Sequence, residues 1–136
     1  MHPDLHAIKV ARGDVRVVYR DWPIFGSASR RAARYAIASA RQGRHAAFDD
    51  SLMRGRIDDA GLRAAAQAAG VDWVRLEAEL AAHGAEIDAL IADTDMHARA
   101  MQFPGTPIML VGPWLVAGRV SADRLDELVS RARDAR

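Results

Sequence analysis

The first residues of the chain have the spacing of a short helix. Leu5 and Ile8 fall on one helix face, and Pro3 suits a first turn, where its missing N–H is not needed. Gly13 suits the position just past a helix end. We therefore predict a helix over residues 2–12.

The next residues change to a period of two. Between Asp14 and Arg20 one side carries Val15, Val17 and Tyr19, and the other carries Arg16, Val18 and Arg20. An apolar side opposite a half-polar side is typical of a strand at the edge of a sheet. The segment Trp22-Pro23-Ile24-Phe25-Gly26 follows, and its proline and glycine predict the end of that strand.

Helical spacing then extends from Ser27 to about Gln102. It is interrupted by Gly43, Gly55, Gly70 and Gly84, so about four or five helices fit this block. Asp72 is placed to be an N-cap, and Gly84 is placed to close the helix that begins there. A longer helix is predicted after it, with an apolar stripe formed by Ile87, Leu90, Ile91, Ala98 and Met101.

The last third of the chain returns to strand signals. Ile108 to Val111 is a continuous apolar run, Gly112-Pro113 predicts a turn, and Trp114 to Val116 is a second short apolar run. The pair predicts a β-hairpin. Ser121 is placed to cap a final helix whose inward face contains Leu125, Leu128, Val129 and Ala132. The predicted order is helix, strand, helical block, hairpin, helix.

Composition narrows the classes of protein that this pattern fits. With 136 residues, half of them apolar, the chain is predicted to fold as one domain with a sizeable core. Its 19 basic and 18 acidic residues are interspersed, which argues against a nucleic-acid partner or a membrane surface. The sequence has no apolar run of membrane-span length and no signal peptide. We expect a cytoplasmic protein, or a periplasmic one if a segment with a signal precedes this sequence.

The sequence contains no cysteine. A disulfide, a thiolate zinc site and a thiol nucleophile are therefore excluded from the chemistry of these residues. Motifs for dinucleotide binding, phosphate loops, zinc proteases and serine hydrolases are also missing from the sequence, so no cofactor is expected.

Two separated segments carry a resemblance to a known family. The segment Asp14–Gly26 and the run Gly105-Thr106-Pro107 with its hairpin and Ser-capped helix, separated by helices, together resemble the DsbA-like thioredoxin-fold disulfide oxidoreductases. The resemblance implies an α/β, thioredoxin-like fold in which residues 1–136 form a single domain with a helical insertion at about residues 27–102. In that family a central strand ends in C-x-x-C at the start of a helix, and Met1–Leu5 is similar to the part of that helix just after the cysteines. The resemblance therefore implies a chain that lacks the N-terminal strand and the C-x-x-C motif.

The same resemblance implies a binding loop. Gly105, Thr106 and Pro107 would form the cis-proline loop of the family, and the Thr106 backbone would pair with an extended substrate segment. Such a loop could bind a peptide without redox chemistry. Because an apolar run follows the proline, we also expect Ile108–Val111 to be an interior strand.

Two polar groups have spacings that also occur in metal sites. His2 and His6 are four residues apart on the predicted first helix, and Asp93, Asp95 and His97 lie close together in the helical block. Neither group supplies a convincing third ligand, so we favour solvated helix faces over a metal site.

Basic side chains on the predicted helices are also interpreted as solvated surface. Arg30, Arg31 and Arg34 are predicted to form a solvated face, because acidic residues follow closely in the sequence. His45 and His83 are interpreted as surface or helix-end residues.

Three functions remain open from the sequence. The first is a relative of the DsbA-type oxidoreductases and isomerases that is redox-inactive because it has no cysteine. The second is a non-catalytic module in which the cis-proline loop and the helices hold a peptide or protein. The third, ranked last, is a relative of glutathione-dependent isomerases, in which the nucleophile position would be absent.

The implied loss of a central strand also predicts an assembly. In the thioredoxin sheet that strand lies between those resembling residues 14–20 and 108–111, and neighbouring strands are about 4.8 Å apart. Both neighbours would lose a partner, and exposed strand edges recruit other chains. We expect a homodimer in which sheet pairing or a swapped N-terminal segment covers the vacated edge.

Overall fold

The computed structural model describes residues 2–135, without the side chain of His2. Internal contacts divide the chain into two compact units. The terminal unit consists of Met1–Tyr19 and Phe103–Arg136, and the helical unit consists of Arg20–Gln102. No helix in the described part of the chain is both long enough and apolar enough to cross a membrane.

The elements follow the predicted order except at one strand. They are α1 (His2–Ala11), α2 (Gly26–Ser39), a 3₁₀ turn (Ala40–Gln42), α3 (His45–Arg54), α4 (Asp59–Ala68), α5 (Trp73–Ala100), β1 (Ile108–Val111), β2 (Trp114–Ala117) and α6 (Ala122–Asp134). The first helix, the helical block, the hairpin and the last helix are confirmed. The strand predicted over residues 14–20 is not among them.

Residues 14–20 keep the predicted alternation but do not pair as a strand. Val15, Val17 and Tyr19 are half-buried, whereas the residues between them are exposed. A strand is defined by hydrogen bonds to a neighbouring strand, and within residues 2–135 the sheet consists of β1 and β2 alone. The prediction of a sheet-edge strand is wrong, because alternation reports a half-buried side and not the presence of a partner.

Side-chain caps fix the start of two helices in the helical unit. Asp72 Oδ1 accepts a hydrogen bond from the Arg75 N–H at 3.0 Å, which confirms the predicted cap of α5. Asp58 Oδ1 accepts one from the Gly61 N–H at 2.9 Å and caps α4 in the same way.

The predicted helix end at Gly84 is wrong. Helix α5 continues through this position and has one non-helical residue, His83, with φ −123° and ψ 16°. Gly84 does not take the left-handed conformation that ends many helices. A Cβ at Gly84 would lie 3.0 Å from Arg34 Nη2, so the glycine instead leaves room for this arginine of α2.

The helical unit encloses a continuous apolar core. Its most deeply buried large apolar side chains are those of Phe48, Leu62 and Leu76. The stripe predicted on α5 is correct for Ile87, Ile91 and Ala98, which are buried. It is wrong for Leu90, which is 47% exposed on α5, and for Met101, which is 52% exposed because it lies at the C-cap, after the last residue of the helix.

The terminal unit has a smaller core. Its buried centre is formed by Leu5 and Ile8 of α1 and by Leu125 of α6. Ser121 Oγ accepts a hydrogen bond from the Arg124 N–H at 3.3 Å, which confirms the predicted cap of α6.

An ion pair joins the end of α1 to α6. Both carboxylate oxygens of Asp126 accept hydrogen bonds from Arg12, and Arg12 Nη2 also donates to Ser130 Oγ at 2.6 Å. The hydrogen bond from Arg12 holds the pKa of the Asp126 carboxyl below its usual value. The first helix and the last helix of the chain are thus attached to each other.

Candidate functional site

The predicted binding loop lies directly before β1. The Thr106–Pro107 peptide bond is cis. Thr106 is exposed, while Gly105 and Pro107 are half-buried. The Pro107 carbonyl accepts a hydrogen bond from the Gly118 N–H at 2.9 Å, which attaches the loop to the residue after β2. The loop is therefore held at the open end of the hairpin with Thr106 accessible to solvent.

Strands β1 and β2 form an antiparallel hairpin closed by a two-residue turn. Met109 lies opposite Val116, and Val111 lies opposite Trp114. In such a ladder, residue pairs that exchange hydrogen bonds alternate with pairs whose N–H and C=O groups point outward. The residues that flank a two-residue turn exchange hydrogen bonds. Val111 and, two residues earlier, Met109 therefore direct their backbone groups toward β2.

The other backbone groups of β1 form a free edge. Ile108 and Leu110 direct their N–H and C=O groups away from β2, to the side where the described chain places no strand. Thr106 lies two residues before Ile108, and within residues 2–135 its backbone groups have no hydrogen-bond partner. Thr106, Ile108 and Leu110 thus offer unpaired backbone groups in series, and we call this set the β1 edge.

The hairpin that carries the β1 edge has no charged side chain of its own and exposes apolar ones. Leu110 is 56% exposed, and its partner across the hairpin, Leu115, is 53% exposed. The sequence has no charged residue between Arg99 and Arg119. Charges are a common means of blocking pairing at a sheet edge. The expectation that Ile108–Val111 is an interior strand is wrong, because no further strand of the described residues covers β1.

The hairpin is attached to α6 by a close backbone approach and a ring contact. Gly112 has φ +56°, and a Cβ there would lie 2.7 Å from the Cβ of Ala132. The guanidinium of Arg131 lies 5.2 Å from the centroid of the Trp114 ring. Met109 packs against the apolar cluster of the terminal unit. One face of the hairpin is therefore fixed while the β1 edge stays open.

The polar groups with metal-like spacing have other partners. His6 is exposed, and the side chain of His2 lies outside the described residues. Asp93 pairs with Arg20 at 2.6 Å and with His97 at 3.5 Å. Across the described part of the chain, His, Cys, Asp and Glu side chains nowhere form a group of three that could hold a metal ion.

Asp95 positions the segment that contains Trp22. Its carboxylate accepts hydrogen bonds from Arg99 Nε at 2.7 Å and from Trp22 Nε1 at 2.9 Å. The bond from Arg99, followed by that from Trp22, holds the pKa of the Asp95 carboxyl below its usual value. The carboxylate therefore remains ionised and acts as an anchor.

The basic face predicted on α2 is paired with acidic side chains. Arg30 and Arg34 lie 3.1 Å and 3.2 Å from the same oxygen of Asp88. Arg31 forms an ion pair with Asp59. These pairs agree with the interpretation as a helix surface.

His45 is not the surface residue that the sequence predicts. Its Nε2 lies 2.8 Å from Asp21 Oδ2, and both side chains are 15% exposed. Burial lowers the pKa of His45, but the hydrogen bond with Asp21 and the charges of Asp21 and Asp49 outweigh burial and raise it. The pair ties the segment around Asp21 to the start of α3. The sequence does not reveal it, because the partners are 24 residues apart.

Comparison with protein families gives a match over nearly the whole chain. The matching model describes a DSBA-like thioredoxin domain and covers residues 1–131. A comparison with curated protein sequences found no significant match.

Solved structures give the same result. The chain is similar to a thioredoxin-like oxidoreductase from Silicibacter pomeroyi DSS-3, with 36% identity and a TM-score of 0.85 over 98% of this chain and 78% of that one. It is also similar to the thiol-disulfide exchange protein alpha-DsbA2 from Wolbachia pipientis, with 22% identity and a TM-score of 0.82 over 99% and 73% of the two chains. A periplasmic thioredoxin-like protein from Salmonella enterica serovar Typhimurium matches with 27% identity and a TM-score of 0.74 over 96% and 73%.

These matches confirm the expected fold. Two details expected of that fold are not found in the described residues: residues 14–20 do not pair as a strand, and Leu110 is not buried. The fold is of the thioredoxin-like, DsbA type with a helical insertion. From the family model and the Silicibacter structure together, the chain belongs to the DSBA-like thioredoxin domain family.

Proposed function

We propose that this chain binds an extended polypeptide segment along the β1 edge and does not itself catalyse thiol–disulfide exchange. The observation that carries the proposal is the series of unpaired backbone groups at Thr106, Ile108 and Leu110. An extended segment would add as a further strand and form main-chain hydrogen bonds with these groups. Exposed apolar surface at Leu110 would contact its alternate side chains.

Family membership supports a polypeptide ligand. The solved relatives include proteins named as an oxidoreductase and as a thiol-disulfide exchange protein. Exchange requires a thiolate that attacks a sulfur atom, and the 136 residues of this chain contain no cysteine. This chain could therefore bind a polypeptide as such proteins do, but its residues could not carry out the exchange reaction.

The absence of thiol chemistry is tested by insulin reduction with dithiothreitol. We expect turnover equal to a buffer control, while the Wolbachia exchange protein serves as a positive comparison. Turnover above buffer that scales with the concentration of this chain would overturn the redox-inactive part of the proposal.

Binding is tested by fluorescence anisotropy with a labelled peptide of alternating valine and threonine. The matched control is the same peptide with every second backbone nitrogen methylated on the pairing side, which removes its donors. We expect the first peptide to bind and the methylated one to fail. Equal binding of both would show that strand addition is not involved.

Two leucine variants locate the binding edge. Leu110→Pro removes an N–H that points away from β2, so it should abolish peptide binding and leave the hairpin formed. Leu115→Pro removes the corresponding outward N–H of β2 and should leave binding unchanged. Loss of binding in both variants, or in neither, would contradict the assignment to the β1 edge.

A second copy of the chain is the alternative occupant of the β1 edge. The uncharged sequence from residue 100 to 118 favours it, because nothing charged there opposes pairing between identical edges. Light scattering over a dilution series distinguishes the two. If a dimer forms and dissociates when the peptide is added, the second copy and the peptide compete for the β1 edge. If the chain is a monomer at all concentrations, a second copy does not occupy that edge and the peptide remains its proposed ligand.

We also propose a periplasmic location. The support is the likeness to the Salmonella protein, which is named as periplasmic. Fractionation of the native host with an antibody to this chain tests it, and recovery with cytoplasmic markers would contradict it.

A further inference from the structure

The helical unit contains a cavity of about 320 Å³ that is open to solvent and takes no part in the proposed function. Three helices line it, each with two residues four positions apart: Arg31 and Tyr35 of α2, Asp59 and Arg63 of α4, and Trp73 and Glu77 of α5. Side chains four positions apart lie on the same helix face. All three helices therefore present one face to this cavity.

Two stacked rings form the apolar part of the cavity. The centroids of Tyr35 and Trp73 are 5.2 Å apart, with planes inclined by 22°. Tyr35 is buried, and its hydroxyl donates a hydrogen bond to Glu77 Oε1 at 2.5 Å. Burial and this bond raise the pKa of Tyr35, so its hydroxyl remains a donor. The guanidinium of Arg63 lies 4.7 Å from the Trp73 centroid, and that of Arg31 lies 5.6 Å from the Tyr35 centroid, so a cation covers the outer face of each ring.

Of the four charged side chains that line the cavity, two form an ion pair and two do not. Arg31 and Asp59 form an ion pair with each other. Arg63 contacts the Trp73 ring, but within residues 2–135 it has no carboxylate partner. Glu77 accepts the Tyr35 hydroxyl, but no cation of the described residues pairs with it. One exposed cation, Arg63, and one exposed anion, Glu77, thus line the same cavity without pairing to each other.

This arrangement suits a ligand that carries both charges. An arginine over an aromatic ring keeps its in-plane N–H groups available, and these groups bind a carboxylate through two parallel hydrogen bonds. The carboxylate of Glu77 is an acceptor for an ammonium group. A volume of about 320 Å³ is at the small end of ligand sites, which fits a metabolite-sized molecule.

We propose that the cavity binds a small zwitterion of the α-amino acid class. The ligand carboxylate bonds to Arg63, its ammonium group bonds to Glu77, and its side chain contacts the edges of the Tyr35 and Trp73 rings, whose faces are covered by each other and by the two guanidinium groups.

Calorimetric titration with L-phenylalanine and L-leucine tests the proposal, and NMR shifts at Tyr35 and Trp73 give the location. The single-charge controls are 2-phenylethylamine and 3-phenylpropionate, which keep the ring but lose one charged group each. We expect binding of an amino acid, with both controls weaker by about tenfold or more, since each loses a charge-assisted hydrogen bond. No binding of either amino acid, or equal binding of a single-charge control, would overturn the proposal.

Variants test whether Arg63 and Glu77 supply the two charged contacts with the ligand. Arg63→Gln and Glu77→Gln should each weaken amino-acid binding by about tenfold, because each removes one charged contact while an amide can still occupy the position. Arg16→Gln and Asp134→Asn change the same charges at exposed positions of the terminal unit and should leave binding unchanged. Unfolding midpoints of all four variants control for folding. Binding that survives both Arg63→Gln and Glu77→Gln, or that falls equally in the controls, would contradict this site.

Discussion

The helical unit and the terminal unit differ in how completely their backbone groups are hydrogen-bonded and their apolar side chains are buried. In the helical unit every helix forms its hydrogen bonds within itself, and large side chains such as Leu62 and Leu76 are fully enclosed. In the terminal unit the sheet has two strands in the described chain, and Leu110 and Leu115 remain more than half exposed. The helical unit is complete in itself, whereas the sheet presents an edge that suits another strand.

The largest expected difference in stability is between two leucine-to-alanine variants, one in each unit. Leu62→Ala removes a fully buried side chain and should lower the free energy of unfolding by about 2 to 5 kcal/mol. Leu110→Ala removes an exposed side chain and should change it by less than about 0.5 kcal/mol. Urea unfolding measures both. A loss at Leu110 as large as that at Leu62 would mean that the β1 edge is already covered in the free protein.

A second comparison separates the two sides of β1. Met109→Pro removes an N–H that faces β2 and should cost about 1 to 3 kcal/mol, because its partner carbonyl on β2 loses its donor. Leu110→Pro removes an outward N–H and should cost clearly less. Thermal unfolding of the two variants gives the order. The reverse order would disprove the assignment of inward and outward groups.

A third, smaller effect concerns the attachment of the hairpin to α6. Gly112→Ala forces a non-glycine residue to φ +56° and brings its Cβ to 2.7 Å from Ala132. Gly118→Ala imposes a similar backbone cost at φ +82° but meets no atom within 4 Å. Gly112→Ala should therefore be more destabilising by about 1 kcal/mol in urea unfolding. Equal losses would show that the hairpin does not pack closely on α6.

The smallest expected effect is a pH dependence in the helical unit. The pKa of His45 is raised by folding, so its pairing with Asp21 contributes fully below the unfolded pKa of about 6.5 and is lost as the pH rises through the folded value. Urea unfolding from acid to mildly alkaline pH should show this loss, and His45→Gln should remove it. The same pH slope in both proteins would contradict the role of this pair.

Local signals in the sequence were sufficient to predict most elements. Asp72 and Ser121 each cap the helix they were expected to cap, because a cap depends on residues three positions away. The apolar runs around Gly112-Pro113 form the expected hairpin for the same reason. Gly84 does not end a helix; it leaves room for Arg34 of another helix, which local sequence does not indicate.

Features that depend on distant residues could not be predicted. Residues 14–20 alternate as a strand does, but pairing needs a neighbour that the alternation does not report. The loop at Gly105–Pro107 was found through family resemblance, while the outward direction of Leu110 required the register of the hairpin. The stacking of Tyr35 on Trp73 joins helices that are far apart in sequence, so nothing local indicates it.

Hydrogen exchange at four consecutive amides of β1 tests the peptide-binding edge most directly. In the free, monomeric chain we expect Met109 and Val111 to be protected by β2, while Ile108 and Leu110 exchange rapidly. Addition of the valine-threonine peptide should protect Ile108 and Leu110 and leave the other two amides unchanged. Protection of Ile108 and Leu110 before the peptide is added, or their continued rapid exchange when it is bound, would contradict strand addition at this edge.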